Sequence, residues 1–295
     1  MTSLLNPHRA QRSALYLPAS NPRAIEKART IDADVIIFDL EDAVAPQAKA
    51  PARENLIRGF AEGSFGRSRC VVRINQIDTP YFADDLTMLR DCKAEAILVP
   101  KVSNGQNAAA IAARIAALAL PVEPALWAMI ETPEALSSLP EIASVGQAGT
   151  PRLECLVVGT NDIAKETGVS MAEGRAYLIP WLMNVVLVAK RFGLTVLDGV
   201  WNDFKNMQGY EREVLQSQRM GFDGKTLIHP SQVDLANEVF APTEAAVAEA
   251  KAIVEEFARP ENAGAGVINM DGRMVELLHL EMARRILSID TAIRG

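Results

Sequence analysis

Acidic residues end three apolar segments of this chain, and these side chains are the ones best placed for chemistry. In chain order the segments end at Asp39 with Glu41, at Glu131 and at Asp162. A buried parallel strand appears in sequence as a nearly continuous apolar run, and α/β enzymes gather their chemistry at the carboxyl ends of such strands. Because the pattern repeats, it predicts an organised site rather than scattered surface charges.

Two of these acids could share a metal ion. Glu131 and Asp162 would follow the fifth and sixth strands, and neighbouring strands lie about 4.8 Å apart, so both carboxylates could reach one cation. Hard oxygen ligands supplied by few protein groups suit Mg²⁺. Either acid alone is equally well explained as a capping or salt-bridging residue, but the pair at matching strand ends favours a magnesium site.

A buried arginine is expected beside the first acids. Arg73 interrupts an apolar strand and should point into the same mouth as Glu41. An unpaired buried arginine is costly, so it either forms a salt bridge with Glu41 or Asp39 or is held ready for an anionic substrate. Lys101 ends the next predicted strand, where a solvated loop lysine is an equally good interpretation.

A second basic group lies near the start of the chain. Arg23 and Lys27 are four residues apart, hence on one helix face, close to Tyr16 at the end of the first strand. A solvated basic face is the ordinary explanation. The more specific hypothesis is that this face binds a phosphate-bearing ligand.

Alternating strands and helices position these side chains. Strands are predicted at residues 13–17, 35–40, 70–75, 96–101, 126–131, 155–159, 195–200 and 225–229. Helices are predicted at residues 22–29, 49–62, 80–92, 104–119, 133–144, 171–192 and 210–220. About eight such units predict an α/β protein with a closed (β/α)₈ TIM barrel. A doubly wound open sheet is the alternative, but the sequence lacks the glycine fingerprints of nucleotide-binding folds.

The chain continues beyond the last predicted strand. We expect residues 1–240 to form the barrel domain and residues 241–295 to form a C-terminal helical extension. The extension should contain a helix at 243–259, a glycine-bearing turn at 262–267 and a last helix at about 273–289. Its length would allow it to cover the barrel mouth of its own subunit or of a neighbouring one.

The composition is that of an ordinary globular protein. The chain has 295 residues, of which 49% are hydrophobic and 23% charged, and its formal net charge is −7. These values argue against disorder and against general nucleic-acid binding. No apolar run is long enough to span a membrane and no secretory signal is evident, so we expect a cytoplasmic protein. Cys70, Cys92 and Cys155 are expected to be reduced, buried thiols.

Several ordered motifs resemble a known family. They are Arg12–Pro18, Phe38–Val44, Val72–Asn75, Pro100–Lys101, Ile130–Pro133, Gly221–Pro230 and Gly272–Glu276. Together they resemble the citrate lyase β-subunit family within the HpcH/HpaI aldolase group, which also holds malyl-CoA and citramalyl-CoA lyases. The resemblance runs from about residue 12 to about residue 285.

The resemblance implies a TIM-barrel enzyme that uses Mg²⁺ and a coenzyme A thioester. It also implies a trimeric or hexameric homo-oligomer in which the C-terminal segment of one subunit closes the site of the next. By motif, Glu131 and Asp162 correspond to the metal ligands and Arg73 to the catalytic and substrate-binding arginine. Asp39 and Glu41, expected beside Arg73, are further candidate substrate-binding residues.

Other positions of the family correspond to coenzyme A contacts and to a catalytic acid in the tail. By motif, Tyr16, Arg23, Lys27, Ile228 and His229 correspond to residues that hold the coenzyme A moiety.

Three departures from the family pattern concern the site. Glu276 stands where the family has a catalytic aspartate, so its role as the base is a prediction. Asn161 replaces an acidic neighbour of the second metal ligand, and Ala19 follows Pro18 where the family has glycine.

The predicted activity is reversible cleavage of a 3-hydroxy-3-carboxyalkyl-CoA thioester, of the malyl-, citramalyl- or citryl-CoA type. The products would be an acyl-CoA and a 2-oxo acid, the only partners expected besides further copies of the chain. Three alternatives stay open: a thioesterase of the same fold, a metal aldolase acting on free 2-oxo acids, and a non-catalytic acyl-CoA-binding subunit.

Overall fold

The strands form a closed parallel barrel. The computed structural model describes residues 9–120, 122–146 and 151–294. The barrel strands are β1 (Ser13–Pro18), β2 (Val35–Asp39), β3 (Arg69–Arg73), β4 (Ala96–Val99), β5 (Ala125–Ile130), β6 (Leu153–Val158), β7 (Thr195–Asp198) and β8 (Gly224–Leu227). Each pairs in parallel with the next, and β1 also pairs with β8. This closure confirms the (β/α)₈ fold and excludes the open doubly wound sheet.

The barrel interior is filled by alternate residues of the strands. Residues two apart on a strand share a face, so each strand supplies one inward set and one set that packs against the helices. The buried interior cluster is Ala14, Val35, Ile37, Val71, Ala96, Leu98, Trp127, Met129, Cys155, Val157 and Leu197. Both faces of β2 are buried, which explains its continuous apolar sequence.

Helices cover the outside of the barrel and follow its strands. In the barrel region they are α1 (Pro22–Lys27), α2 (Lys49–Ala61), α3 (Phe82–Met88), α4 (Gly105–Ala116), α5 (Pro133–Ser137), α6 (Leu139–Ser144), α7 (Thr160–Thr167), α8 (Ala172–Arg175), α9 (Ile179–Phe192), α10 (Met207–Met220) and α11 (Val233–Val239). Side-chain oxygens of Asn21, Asn104, Thr132 and Asn206 accept hydrogen bonds from the first helical N–H groups. These caps satisfy backbone donors that have no partner inside the helix.

Several helix predictions need correction. The single helix predicted at 133–144 is instead two helices, α5 and α6, which meet at Ser138. The single helix predicted at 171–192 is wrong, because the positive φ of Glu173, Gly174 and Arg175 interrupts the helical backbone before α9 begins at Ile179. The helix α7 was not predicted, since its short polar sequence after β6 resembles a loop.

The chain divides into two compact units. One spans Gln11–Asn237 and contains the barrel, and the other takes in residues 9–10 and 238–294. Within the second unit, α12 (Glu244–Phe257) packs against α13 (Leu277–Arg294). Two short strands, β9 (Val267–Met270) and β10 (Arg273–Glu276), pair antiparallel between these helices in sequence.

The hairpin corrects the prediction for the tail. A last helix beginning at about residue 273 is wrong, because residues 273–276 form β10 and the helix starts at Leu277. Asp271 and Gly272 connect the two strands with φ of 52° and 79°. An Asp-Gly pair favours this left-handed turn between alternating apolar residues, and the alternation here was overlooked. No helix among the described residues is long and apolar enough to cross a membrane.

Candidate active site

Arg73, the last residue of β3, is the centre of the charged cluster at the barrel mouth. Its Nε and Nη2 donate hydrogen bonds to Asp39 Oδ1 and Oδ2 at 2.7 and 2.6 Å. Its Nη1 lies 3.1 Å from Glu41 Oε2. The guanidinium carbon lies 4.8 Å from the centroid of the Tyr16 ring. Of the two alternatives for Arg73, the structure shows the salt bridge, and contact with a substrate stays a prediction.

Asp39 fixes the loop that carries Glu41. Its carboxylate accepts the backbone N–H groups of Glu41 at 2.8 Å and of Ala43 at 3.1 Å, in addition to the arginine. The buried Lys49 ammonium donates to the Leu40 and Glu41 carbonyls at 2.7 and 2.8 Å. Asp39 therefore holds the loop after β2 through its backbone N–H groups, and Lys49 holds it through its carbonyl groups.

Glu131 follows β5 and is almost completely buried, with 2% of its surface exposed. Its Oε1 accepts the backbone N–H of Lys101 at 2.8 Å. Gly159 follows the neighbouring strand β6, and a Cβ at that position would lie 2.5 Å from the Cβ of Glu131. A glycine at 159 is thus required to leave room for this carboxylate.

The two carboxyl groups Glu41 and Glu131 are unusually hard to ionise. Burial raises the pKa of Glu131 to about 8, the Asp162 carboxylate adds to the rise, and the Lys101 N–H acts against it. Burial also raises the pKa of Glu41 to about 7, although Arg73 opposes the shift. A bound cation would offset this cost, because opposite charge favours the ionised carboxylate.

Asp162 lies in the first turn of α7 and is half-buried. It follows β6, which is paired with β5, the strand before Glu131, and its sharing of a metal ion with Glu131 stays a prediction. The neighbouring Asn161 exchanges amide hydrogen bonds with Asn202, at 3.1 and 2.8 Å. In the described part of the chain, no group of three or more His, Cys, Asp or Glu side chains is arranged to hold a metal. The fit to Mg²⁺ therefore rests on two carboxylates, with remaining positions left to water or substrate.

The residues predicted to hold coenzyme A fall into two places. Arg23 and Lys27 are exposed on α1, after β1, whereas Ile228 and His229 follow β8. Because β1 and β8 are paired, both groups lie on the same side of the barrel. Tyr16 is half-buried and packs against the barrel interior with its ring against Arg73, and its contact with coenzyme A stays a prediction.

An aromatic stack accompanies the predicted coenzyme A side. The imidazole of His229 stacks on the Phe204 ring, with centroids 4.6 Å apart and planes inclined by 10°. Its Nδ1 lies 2.8 Å from Ser231 Oγ. Sequence analysis did not single out Phe204, because an aromatic residue in a loop has no spacing that links it to His229.

Glu276 ends β10 in the second unit, and its backbone N–H donates to His279 Nδ1 at 3.0 Å. Its proposed role as the catalytic base remains a prediction.

Several supporting residues were missed from the sequence. Asn75 donates to the Leu40 carbonyl at 3.1 Å and to Asp85 at 2.6 Å, and accepts from Lys49 at 2.7 Å. Asn75 is two residues beyond Arg73, a spacing that can place both on one side of an extended chain. Lys49 and Asp85 come from helices, and nothing in their local sequence indicates that they meet below the loop after β2.

A closed barrel with charged side chains gathered at the carboxyl ends of its strands defines a TIM-barrel enzyme. The sequence model of the HpcH/HpaI aldolase/citrate lyase family matches residues 12–230. The chain belongs to this family, which confirms the resemblance seen in its motifs.

Two characterised relatives cover almost the whole chain. A (3S)-malyl-CoA thioesterase from Cereibacter sphaeroides is 43% identical over 282 residues, with 96% of this chain and 95% of the relative aligned. An L-malyl-CoA/β-methylmalyl-CoA lyase from Rhodobacter capsulatus is 33% identical over 305 aligned positions, with 95% of each chain covered. The names confirm the expectation of an enzyme group that includes CoA ester lyases.

A solved structure shares the fold. It is the protein CitE from Mycobacterium tuberculosis in complex with magnesium, acetoacetate and coenzyme A. The TM-score is 0.73 with 27% sequence identity, and the alignment covers 97% of this chain and 99% of the other. A solved structure of the citrate lyase β subunit from the same organism, with oxaloacetate and magnesium, gives a TM-score of 0.67 at 28% identity, over 81% of this chain and all of the other.

Proposed function

We propose that this protein is a Mg²⁺-dependent carbon–carbon lyase acting on a 3-hydroxy-3-carboxyalkyl-CoA thioester of the malyl-CoA type. The products would be an acyl-CoA and a 2-oxo acid. The observation that carries the proposal is the arrangement at the barrel mouth, where Arg73 is paired with Asp39 and Glu41 and the buried Glu131 follows β5, the strand paired with the one that precedes Asp162.

The donor set fits Mg²⁺. Glu131 and Asp162 would hold it through hard carboxylate oxygens, and the cation would remove their mutual repulsion, which contributes to the raised pKa of Glu131. When bound, Mg²⁺ would act as a Lewis acid toward the oxygen on the carbon whose bond is cleaved. Complexes of CitE with magnesium and acetoacetate or oxaloacetate support this assignment.

Arg73 would stabilise the negative charge that develops on the substrate. Its guanidinium is fixed by two hydrogen bonds to Asp39, so it is already oriented before the substrate arrives. A preorganised cation in a buried site stabilises developing charge without the cost of reorienting solvent. Tyr16 packs against the guanidinium face and limits its movement.

A proton must be exchanged at the α-carbon of the acyl-CoA. In the cleavage direction the 3-hydroxyl group loses its proton to solvent as the 2-oxo group forms, and the α-carbon leaves as an enolate that receives a proton; condensation reverses both transfers. Glu276 is proposed as the group that gives and takes this proton, on the basis of its place in the tail motif. Its carboxylate, one methylene longer than the family's aspartate, has the chemistry of a general base.

Arg23, Lys27, Ile228 and His229 would hold the coenzyme A moiety. The pairing of β1 with β8 brings the two groups to one side of the barrel, and the cationic side chains of Arg23 and Lys27 suit phosphate groups. The CitE complex that contains coenzyme A supports a site of this kind in the fold.

Hydrolysis of the thioester is the second candidate function. It is favoured by the 43% identity to a (3S)-malyl-CoA thioesterase, compared with 33% to a malyl-CoA lyase. The same cation and arginine could polarise the thioester carbonyl and water could attack it. The products would then be free coenzyme A and the intact hydroxy diacid.

An assay that follows both product sets decides between the two. The purified protein is incubated with Mg²⁺ and malyl-, citramalyl- or citryl-CoA, and 2-oxo acid and free thiol are measured separately. Formation of an oxo acid with acyl-CoA, abolished by chelator, is the expected result for the lyase. Free thiol with no oxo acid would establish the thioesterase and contradict the lyase.

The metal assignment has its own variant. Glu131→Gln should abolish Mg²⁺-dependent turnover while leaving the circular dichroism spectrum unchanged, because it removes a metal-ligand charge at nearly constant volume. Normal activity of this variant would refute the role of Glu131.

A further inference from the structure

Lys101 has an unusual backbone conformation at the barrel mouth. It follows β4 and its φ is 52°, in the left-handed region that few residues other than glycine adopt. Such conformations persist only where the surrounding structure enforces them, and they concentrate at functional sites. The contacts of Lys101 should therefore show what holds its backbone in this conformation.

The conformation gives Lys101 two contacts within the site. Its backbone N–H donates to Glu131 Oε1 at 2.8 Å, and its Nζ lies 3.8 Å from Glu41 Oε1. The first contact needs only the backbone, for which glycine or asparagine would be the less strained choice. A lysine here accordingly indicates a separate role for the ammonium group.

The ammonium is not committed to Glu41. At 3.8 Å the pair is loose, and Glu41 already has the Arg73 guanidinium at 3.1 Å. The lysine side chain is 33% exposed, compared with 10% for Glu41. An ammonium group has three donors, and Glu41 is its one ion-pair partner among the described residues, so it retains capacity for an anion from solution.

The strand order indicates which end of the substrate would reach Lys101. Strand β4 lies between β3 and β5, which deliver Arg73 and Glu131. In a ring of eight strands, β4 lies across the barrel from β8 and far from β1, the strands that precede the residues proposed to hold coenzyme A. An anion beside Lys101 would thus belong to the small-acid end of the substrate rather than to the phosphates of coenzyme A.

We propose that Lys101 is a further substrate-binding residue, whose ammonium receives the carboxylate of the 2-oxo-acid portion of the substrate. The inference rests on the proposed function for the identity of this carboxylate. Its backbone N–H acts at the same time as a positioning group for Glu131. One residue thereby links the orientation of the proposed metal ligand to recognition of the acid.

Binding of glyoxylate and of acetyl-CoA, each measured by isothermal titration calorimetry with saturating Mg²⁺, tests the proposal. Lys101→Asn keeps the N–H and tolerates the left-handed backbone, but removes the charge. Its Kd for glyoxylate should rise by about tenfold to a hundredfold, the range of one lost charge-assisted hydrogen bond. Its Kd values for Mg²⁺ and for acetyl-CoA should stay within about twofold of the unmodified protein, and Lys101→Arg should restore most of the glyoxylate affinity.

Lys93→Asn is the matched control, because Lys93 is an exposed lysine before the amino end of the same strand. Its glyoxylate affinity should not change. Unchanged glyoxylate binding in Lys101→Asn, equal losses for glyoxylate and acetyl-CoA, or no Mg²⁺-dependent glyoxylate binding by the unmodified protein would each overturn the proposal. If glyoxylate binds through Lys101 but no carbon–carbon bond is made or broken, the lyase assignment fails while the role of Lys101 stands.

Discussion

At the scale of single residues, the site is a set of carboxyl groups held where water cannot stabilise their charge. Glu131 is the clearest case, because its surface is 2% exposed and burial, with a smaller effect of the Asp162 charge, raises its pKa. The backbone N–H of Lys101 donates to this carboxylate, and Gly159, which has no side chain, leaves room for it. The same carboxylate should therefore affect both the stability of the protein and its affinity for metal, and each can be measured.

The raised pKa of Glu131 predicts that the metal-free protein loses stability as pH rises. The folded protein binds this proton more tightly than the unfolded chain, since the pKa is about 8 compared with the ordinary 4.5. The favourable contribution is complete below about pH 4.5 and is lost as the pH rises toward 8. We expect Glu131→Gln to flatten the fall of Tm between pH 5 and pH 8, with a difference of at least about 3 °C at pH 8. Identical Tm profiles in chelator for both proteins would contradict the assigned pKa.

Gly159→Ala should weaken Mg²⁺ binding. The added Cβ would lie 2.5 Å from the Cβ of Glu131, so the carboxylate must move away from its present position. We expect the Kd for Mg²⁺, measured by calorimetry, to rise at least about tenfold, since small displacements of supporting groups cost 10- to 100-fold in metal affinity. Gly266→Ala is the control, because a Cβ there meets nothing within 4 Å. Equal affinities in the two variants would show that Gly159 does not set the position of Glu131.

Arg73→Lys should lower kcat far more than it changes the binding of acyl-CoA. Lysine keeps the charge but cannot form two parallel hydrogen bonds to Asp39 while also contacting Glu41. Loss of one preorganised donor to a developing negative charge typically costs about 100- to 1,000-fold in kcat. Steady-state kinetics with Arg58→Lys, a change in an exposed arginine of α2, provides the comparison. A kcat within threefold of the unmodified enzyme would exclude the assigned role.

At the scale of elements, a second charged cluster connects the last two strands of the barrel. Asp198 at the end of β7 accepts from the buried Arg175 at 3.0 and 2.9 Å and from Lys225 of β8 at 2.9 Å. Lys225 also lies 2.8 Å from Glu213 of α10. Although burial opposes ionisation, Lys225 and Arg175 hold the pKa of Asp198 well below its usual range. The cluster explains how Arg175 is kept in a left-handed conformation with φ of 61°.

Removing one charge from this cluster should destabilise the fold strongly. Asp198→Asn would leave Arg175 and Lys225 buried with a single remaining acid, and breaking a buried ion pair typically costs about 3–5 kcal/mol. We expect Tm to fall by roughly 10 °C in differential scanning calorimetry. Glu249→Gln, which removes the partner of Arg273 in an exposed pair, should leave Tm unchanged. A fall of less than 2 °C in Asp198→Asn would show that the cluster does not stabilise the barrel.

Most of the barrel strands could be predicted from sequence because they are short apolar runs bounded by polar residues, and the acids at the ends of several of them marked the mouth. The ionic cluster could not, since Arg175 ends the short helix α8 and the other charged groups come from two strands and a helix farther along the chain. The hairpin turn at Asp271 and Gly272 could have been predicted, because an Asp-Gly pair is a local sequence signal for such a turn. The need for glycine at position 159 could not be predicted either, because it arises from the side chain of Glu131 after the neighbouring strand.

At the scale of the whole molecule, the second unit carries exposed apolar side chains that a separate chain would leave in water. They are Met274, Leu277, Leu278 and Met282, each at least 50% exposed. Exposed apolar groups of this kind are typical of surfaces that contact another protein. They agree with the expectation from the family that the C-terminal segment serves a neighbouring subunit in a homo-oligomer.

Mixing two inactive variants tests that arrangement. Glu131→Gln damages the barrel and Glu276→Gln damages the tail, so each should be inactive alone. If tail and barrel come from different subunits, randomly mixed oligomers should regain about a quarter of full activity, because that fraction of sites has both acids intact. The double variant Glu131→Gln/Glu276→Gln, mixed in the same way with either single variant, should regain none. No recovery in the first mixture would mean that the tail does not serve a neighbouring barrel.

The circular order of the strands has a consequence for how this enzyme could change its substrate. The carrier thioester is assigned to the side of β1 and β8, and the small acid to the side of β3, β4 and β5. Substitutions at the ends of the latter strands could alter which acid is accepted while the carrier is still recognised. A duplicated gene could therefore diversify its acid specificity in small steps, and libraries for altering it are best confined to the segments that follow these three strands.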